Sequence, residues 1–190
     1  MNGDVRKKEV AKAQAYFITV TEAFKQYIRE AQQVERIAIR GDVSKHEKSL
    51  SAVAQDAGVD DYAFFQNKGY CGLYNMSYSE LKDHKGIPEE RSPLDFMSAT
   101  ELAANLFRIT QTEEKIRKEG IRGQKQLENA AFSAGRQVRE TMEKISGTKP
   151  EDLPTAPDIK NVKLAIKSTQ KEFAKLEKAK KRAPAVTSIR

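Results

Sequence analysis

From Asp4 to Arg40 the chain contains neither glycine nor proline, and Gly3 and Gly41 bracket the stretch. Within it, apolar or small residues fall at Val10, Ala13, Phe17, Val20, Phe24, Tyr27, Ala31, Val34 and Ala38, in alternating steps of three and four. That spacing is the seam of a coiled coil or a long helical hairpin. A helix of this length spans roughly 55 Å at 1.5 Å per residue, and it cannot bury its seam alone. A second segment repeats the spacing at Ile159, Val162, Ile166, Thr169, Phe173 and Leu176. Either the two helices pair with each other, or two copies of the chain pair as a homodimer through them. The chain shows no alternating strand pattern, so the expected class is all-α.

Between the long helices the sequence divides into shorter pieces. "DVSKHEKSLSAVAQDA" (42–57) suits a separate helix capped by Asp42 or Ser44 and stopped by Gly58. "FFQNKGYCGLYN" (Phe64 to Asn75) packs four aromatics, two glycines and two asparagines together and reads as an irregular loop. A short polar helix follows near "SYSELKDHKG", then the proline-containing connector "IPEERSPLDF". Ser98 with Glu101 three residues on has the capping-box pattern and opens a helix that runs to Gly120. Another helix is expected over 124–146. The predicted organisation is a long N-terminal helix (1–41), a central helical domain with its aromatic loop (42–146), a linker (147–157), a basic C-terminal helix (158–182) and a disordered tail (183–190).

Little in the chain suggests catalysis. Cys71 is the single cysteine, and neither His46 nor His84 has a spacing that would orient it as a base or complete a zinc site. No phosphate-cradling glycine motif is present. Asp95 followed by Glu113, Glu114 and Lys115 echoes the acidic-plus-lysine spacing of metal-dependent nucleases. That motif needs a strand edge, and the bland reading is an ion-paired helix face. The expectation is a protein that is not an enzyme, with no cofactor and no metal. No apolar run approaches the ~20 residues of a membrane span, and no signal peptide precedes the charged start. A cytoplasmic protein with no membrane partner is expected.

Binding chemistry is better represented. The formal net charge is +7, which favours an acidic partner such as nucleic acid. Arg108, Arg117, Lys118, Arg122, Lys125, Arg136 and Arg139 concentrate on two consecutive helices. Lys160, Lys163, Lys167, Lys171 and Lys175 recur every three or four residues on the last one. Such a stripe tracks a phosphate backbone, or it is only the solvated face of a coiled coil. Phe64, Phe65, Tyr70 and Tyr74 stack on unpaired bases, or they plug the core while Gln66 and Asn67 bond to backbone.

Three stretches carry a family resemblance: "FFQNKGYCGLYN", "SATELAANLFRITQTEEKIRKEG" and "FSAGRQVRETMEKISGTKPEDLPT". In order and spacing they resemble the C-terminal half of the DNA-damage-inducible protein D family, and "AQAYFITVTEAF" fits the same family. The resemblance covers roughly residues 2 to 176. It implies a bacterial, non-enzymatic protein of the DNA-damage (SOS) response that modulates the strand-exchange recombinase filament on DNA, with single strands favoured over duplex. The family's usual architecture carries an upstream antirepressor-like domain, and "NGDVRKKEVAKAQAYF" resembles the end of that domain. Any DNA binding owed to it is not expected of these residues. Among positions matching the family's motifs, Asn105, Arg108, Gln111 and Arg136 are the polar residues expected to touch a partner. Arg117, Lys118, Arg139, Lys163, Lys167 and Lys171 complete the expected surface. The rival expectation is a protein-interaction module, dimerising or antirepressor-like, whose charge is solvating.

Overall fold

The computed structural model describes residues 5–168 and 171. It is all-α: α1 (Val5–Asp56), α2 (Tyr62–Tyr74), α3 (Tyr78–His84), α4 (Ala99–Glu119) and α5 (Gln124–Ser146), with 3-10 turns at Pro93–Phe96 and Pro150–Asp152. A final helix, α6, occupies 159–168. No strand occurs among the described residues. The seam positions Thr169, Phe173 and Leu176, Lys175 and the predicted tail lie outside them.

The long helix is longer than the sequence suggests, because α1 passes through Gly41 and absorbs the segment read as a separate helix over 42–57. A glycine inside a helix costs only about 0.5–1 kcal/mol, less than the flanking packing supplies. Val43, Leu50, Val53 and Ala54 are buried on one face of α1, and α1 packs chiefly against α4. The heptad seam is not this face. Val10, Phe17, Val20, Ala31 and Val34 are all exposed, as is every described side chain from 10 to 32. Among the described side chains of α1, those built into the core lie in its C-terminal part, from about residue 33. The helix ends where Gly58 adopts φ +82° and Val59 N–H donates to Ala54 O at 2.9 Å, a Schellman-type stop.

The predicted aromatic loop is a helix. Asp61 caps α2 by accepting from Phe64 N–H at 2.9 Å, and Asn75 closes it in the left-handed region. Its glycines serve close approach, not a turn. A Cβ on Gly72 would lie 2.2 Å from the Phe132 carbonyl oxygen of α5, and one on Gly135 would lie 2.6 Å from Gly69 O. The α2 and α5 backbones therefore touch, with Ala131 and Ala134 buried along the same face of α5.

The segment expected to be a linker is a pinned strap. Pro150 and Glu151 are buried, Lys85 Nζ donates to Leu153 O at 2.9 Å, and Ala156 N–H donates to Phe96 O at 2.7 Å. Arg36, 2% exposed on α1, donates to Met97 O, Asp95 O and Pro157 O, each at 2.6 Å. One guanidinium thus ties the Pro93–Phe96 turn and the end of the strap to the long helix.

Candidate nucleic-acid interface

The polar row of α4 faces inward. Asn105 is 0% exposed: its amide donates to the Tyr74 hydroxyl at 2.6 Å and Glu101 O at 3.0 Å, and its Oδ1 accepts from Arg108 Nη2 at 3.1 Å. Arg108 is 2% exposed, and its guanidinium carbon lies 4.8 Å from the centre of the Tyr70 ring. The absence of a side chain at Gly69 makes room for it, since a Cβ there would fall 2.2 Å from Nη1. The expectation that Asn105 and Arg108 present themselves on a partner-binding surface is therefore corrected. A buried amide and a buried guanidinium must find internal partners, and here they organise the α2–α4 contact. Glu47 faces the same small cavity as Arg108, Tyr62 and Gln66. Burial pushes its carboxyl above the usual range, against the opposing pull of Arg40 and Arg108.

Glu101 is also internal. Ser98 caps α4 by accepting from Glu101 N–H at 3.2 Å, but the Glu101 carboxylate turns to the buried Lys85, 3.0 Å away. The capping box occurs instead at Ser77, whose own N–H donates to Glu80 Oε2 at 2.7 Å.

Among the aromatics, Phe65, Tyr70 and Tyr74 are core residues, and burial raises both tyrosine hydroxyls. Tyr70 stacks on Tyr74 at 6.0 Å between centroids and meets Tyr78 edge-on at 5.1 Å. Gln66 donates to Glu47, and Asn67 accepts from Tyr78 N–H at 2.7 Å. Only Phe64 is exposed, with Lys68 Nζ 4.8 Å from its ring centre. A base-stacking platform made of all four is excluded by this burial. Cys71 is half-buried and its thiol is pushed up by burial, the opposite of an activated nucleophile. Asp95 is held by Arg40 and Arg91, while Glu113 binds Ser49 and Arg117. Among the described residues no group of three or more His, Cys, Asp or Glu is placed to hold a metal ion.

The remaining predicted residues divide between clamp and surface. Arg139 is a clamp: it grips Glu151 through two bonds of 2.5 and 2.7 Å, donates to Leu73 O at 3.2 Å and pairs with Glu143 at 2.9 Å. Gln111, Arg117, Lys118, Arg136, Lys163, Lys167 and Lys171 are exposed. Arg117 pairs with Glu113 at 3.0 Å and Arg136 with Glu140 at 3.3 Å, both in the open. Such pairs contribute little and yield readily to another anion.

The α4–α5 turn carries a cleft of about 580 Å³ lined by Lys115, Gly120, Ile121, Arg122, Gln126, Asn129, Ala130 and Ser133. No carboxylate lines it. Lys118 and Lys125 are exposed on the same two helix ends. In the sequence Arg122 and Lys125 stand out only as part of a charge run. Gln126, Asn129 and Ser133 left no signal beyond their spacing along one face of α5. Arg36 and Lys85 were likewise illegible, because the carbonyls they bind are distant in sequence.

The DinD C-terminal domain matches residues 28–162 of the chain. The DNA damage-inducible protein D of Escherichia coli (strain K12) is 41% identical over 184 residues, an alignment that covers 90% of this chain and 66% of that protein. The chain thus spans about two thirds of its relative's length. The glycines of α2 and α5, the buried α4 row and the Arg139–Glu151 clamp all lie within the matched region, and the chain belongs to the DinD C-terminal domain family.

Proposed function

We propose that this chain is a non-enzymatic binding module of the DNA-damage response that engages DNA, or a recombinase–DNA filament, through its basic surfaces. The observation that carries this reading is the row Lys160, Lys163, Lys167 and Lys171. All four are exposed at helical spacing, and none is ion-paired with a described residue. Several exposed lysines on one face repel one another and favour a polyanion that displaces their counterions. The name of the Escherichia coli relative supports the DNA-damage setting. Labelled single-stranded and duplex DNA, titrated at two salt concentrations with and without recombinase, tests it. Binding that weakens steeply with salt is expected, stronger for the single strand. Absence of binding to DNA and to filament alike would overturn the reading.

A second reading, a protein-interaction or dimerising module, is favoured by one feature. Val10, Phe17 and Val20 are exposed along one side of α1, with Tyr16 and Ile18 exposed to either side of that row, and exposed apolar side chains grouped in this way call for a cover. Binding only when the recombinase is present, with none to naked DNA, would favour it.

A further inference from the structure

We infer that the cleft at the α4–α5 turn is the seat of a single DNA strand, with Lys115 and Arg122 on its phosphates and Gln126, Asn129 and Ser133 on the sugar and base edges. This rests on the DNA-engaging reading above and gives it a site distinct from the α6 lysines.

Three observations carry it. The first is charge in the right form: two cations reach the cleft without an ion-pair partner among the described residues, and its lining includes no carboxylate. The cleft on the other side of Arg122 includes Asp56 and is not part of the track. The second is rigidity. Ile121 N–H donates to Ile116 O at 3.1 Å and Gly123 N–H donates to Ala57 O at 2.9 Å, so the turn bearing Arg122 is tied to both α4 and α1. Gln124 Oε1 also accepts from the backbone N–H groups of Asp60 and Asp61 at 2.8 and 3.0 Å. A turn held at this many points is ordered before a ligand arrives, which lowers the entropy cost of binding. The third is shape. The site is a broad depression of about 580 Å³ that lies open to solvent, a form suited to a strand laid across it. It accepts one strand's backbone with a splayed base, whereas a duplex presents a convex rod. The neutral donors and acceptors of Asn, Gln and Ser suit Watson–Crick base edges, which are free only when the strand is unpaired.

The test is fluorescence anisotropy of a labelled single-stranded oligonucleotide with the full chain and two double variants, Lys115→Ser/Arg122→Ser and Lys163→Ser/Lys167→Ser. Each lost phosphate contact on a single strand removes about 0.7 from the slope of log K against log salt. The cleft variant should therefore lose roughly 1.4 in slope and bind roughly 25-fold more weakly at 0.1 M salt. The changed side chains are on or near the surface, so thermal melting should match the parent. Should the double variant melt early, Asn129→Asp, which places a carboxylate in the cleft, is expected to weaken binding at least ~10-fold. Cleft variants that bind like the parent, while the α6 variant loses binding, would overturn this site and leave the DNA reading standing. A parent chain that binds no single strand would overturn both.

Discussion

Lys85 and Glu101 form an ion pair at 3.0 Å with their side chains 3% and 0% exposed. Lys85 also donates to Leu153 O, so the pair links the end of α3, the start of α4 and the strap. Glu101 Oε2 has no hydrogen-bond partner, and the Lys85 contact lacks the angle of a directed hydrogen bond. Such a pair adds little net stability, but removing one partner leaves a buried charge uncompensated, at a cost of about 3–5 kcal/mol. Glu101→Ala and Lys85→Ala should each fall in that range by urea denaturation. Lys85→Met/Glu101→Leu should recover at least half of the loss. An additive double variant would show that the pair is not coupled.

The backbone crossing of α2 and α5 makes two glycine-to-alanine changes diverge in sign. At Gly72 the new methyl meets backbone atoms at 2.2 Å, and neither helix can yield without moving. A loss of about 3 kcal/mol is expected, at the upper end for overpacking. At Gly41 nothing lies within 4 Å, so alanine should stabilise by about 0.5–1 kcal/mol. Melting temperatures of the two variants check both signs.

Tyr70 and Phe64 were equivalent in sequence and are opposites in the fold. Tyr70→Ala should cost about 3–5 kcal/mol, as buried aromatic truncations do, and it removes the ring beneath Arg108. Phe64→Ala should stay within ~0.5 kcal/mol, as for surface changes. Equal melting of Tyr70→Ala and the parent would contradict the core assignment.

Burial acts to raise the Glu151 carboxyl, but the Arg139 hydrogen bonds and charge outweigh it and the group ends below the usual range. A depressed carboxylate contributes stability that is present above its unfolded value of about 4.3 and is lost as pH falls through the folded value. Glu151→Gln should therefore destabilise at neutral pH by about 1.5–3 kcal/mol, typical of bonds to charged groups. The gap to the parent should close on acidification. A gap that persists at low pH would assign the effect to packing.

The sequence made the class, the long helix and most helix boundaries after residue 98 legible, because hydrophobic period and glycine stops act locally. It misled wherever a residue serves a contact distant along the chain. The glycines of α2 read as turn formers, yet Gly69 and Gly72 make room for Arg108 and for α5. Asn105 and Arg108 read as an exposed polar row because Tyr70, Tyr74 and Met97, their buried companions, come from other segments. Of the expected surface, Arg117, Lys118, Arg136 and the α6 lysines are indeed exposed. The cleft lined by Lys115 and Arg122 needs the α4–α5 turn in three dimensions before it can be seen.

The most direct measurement is photo-cross-linking of a 4-thiothymidine-substituted single strand to the full chain at low salt, with peptide mapping of the adducts. The account predicts adducts on peptides covering 115–133, suppressed by high salt and by Lys115→Ser/Arg122→Ser. Adducts confined to other parts of the chain, or none at low salt, would contradict it.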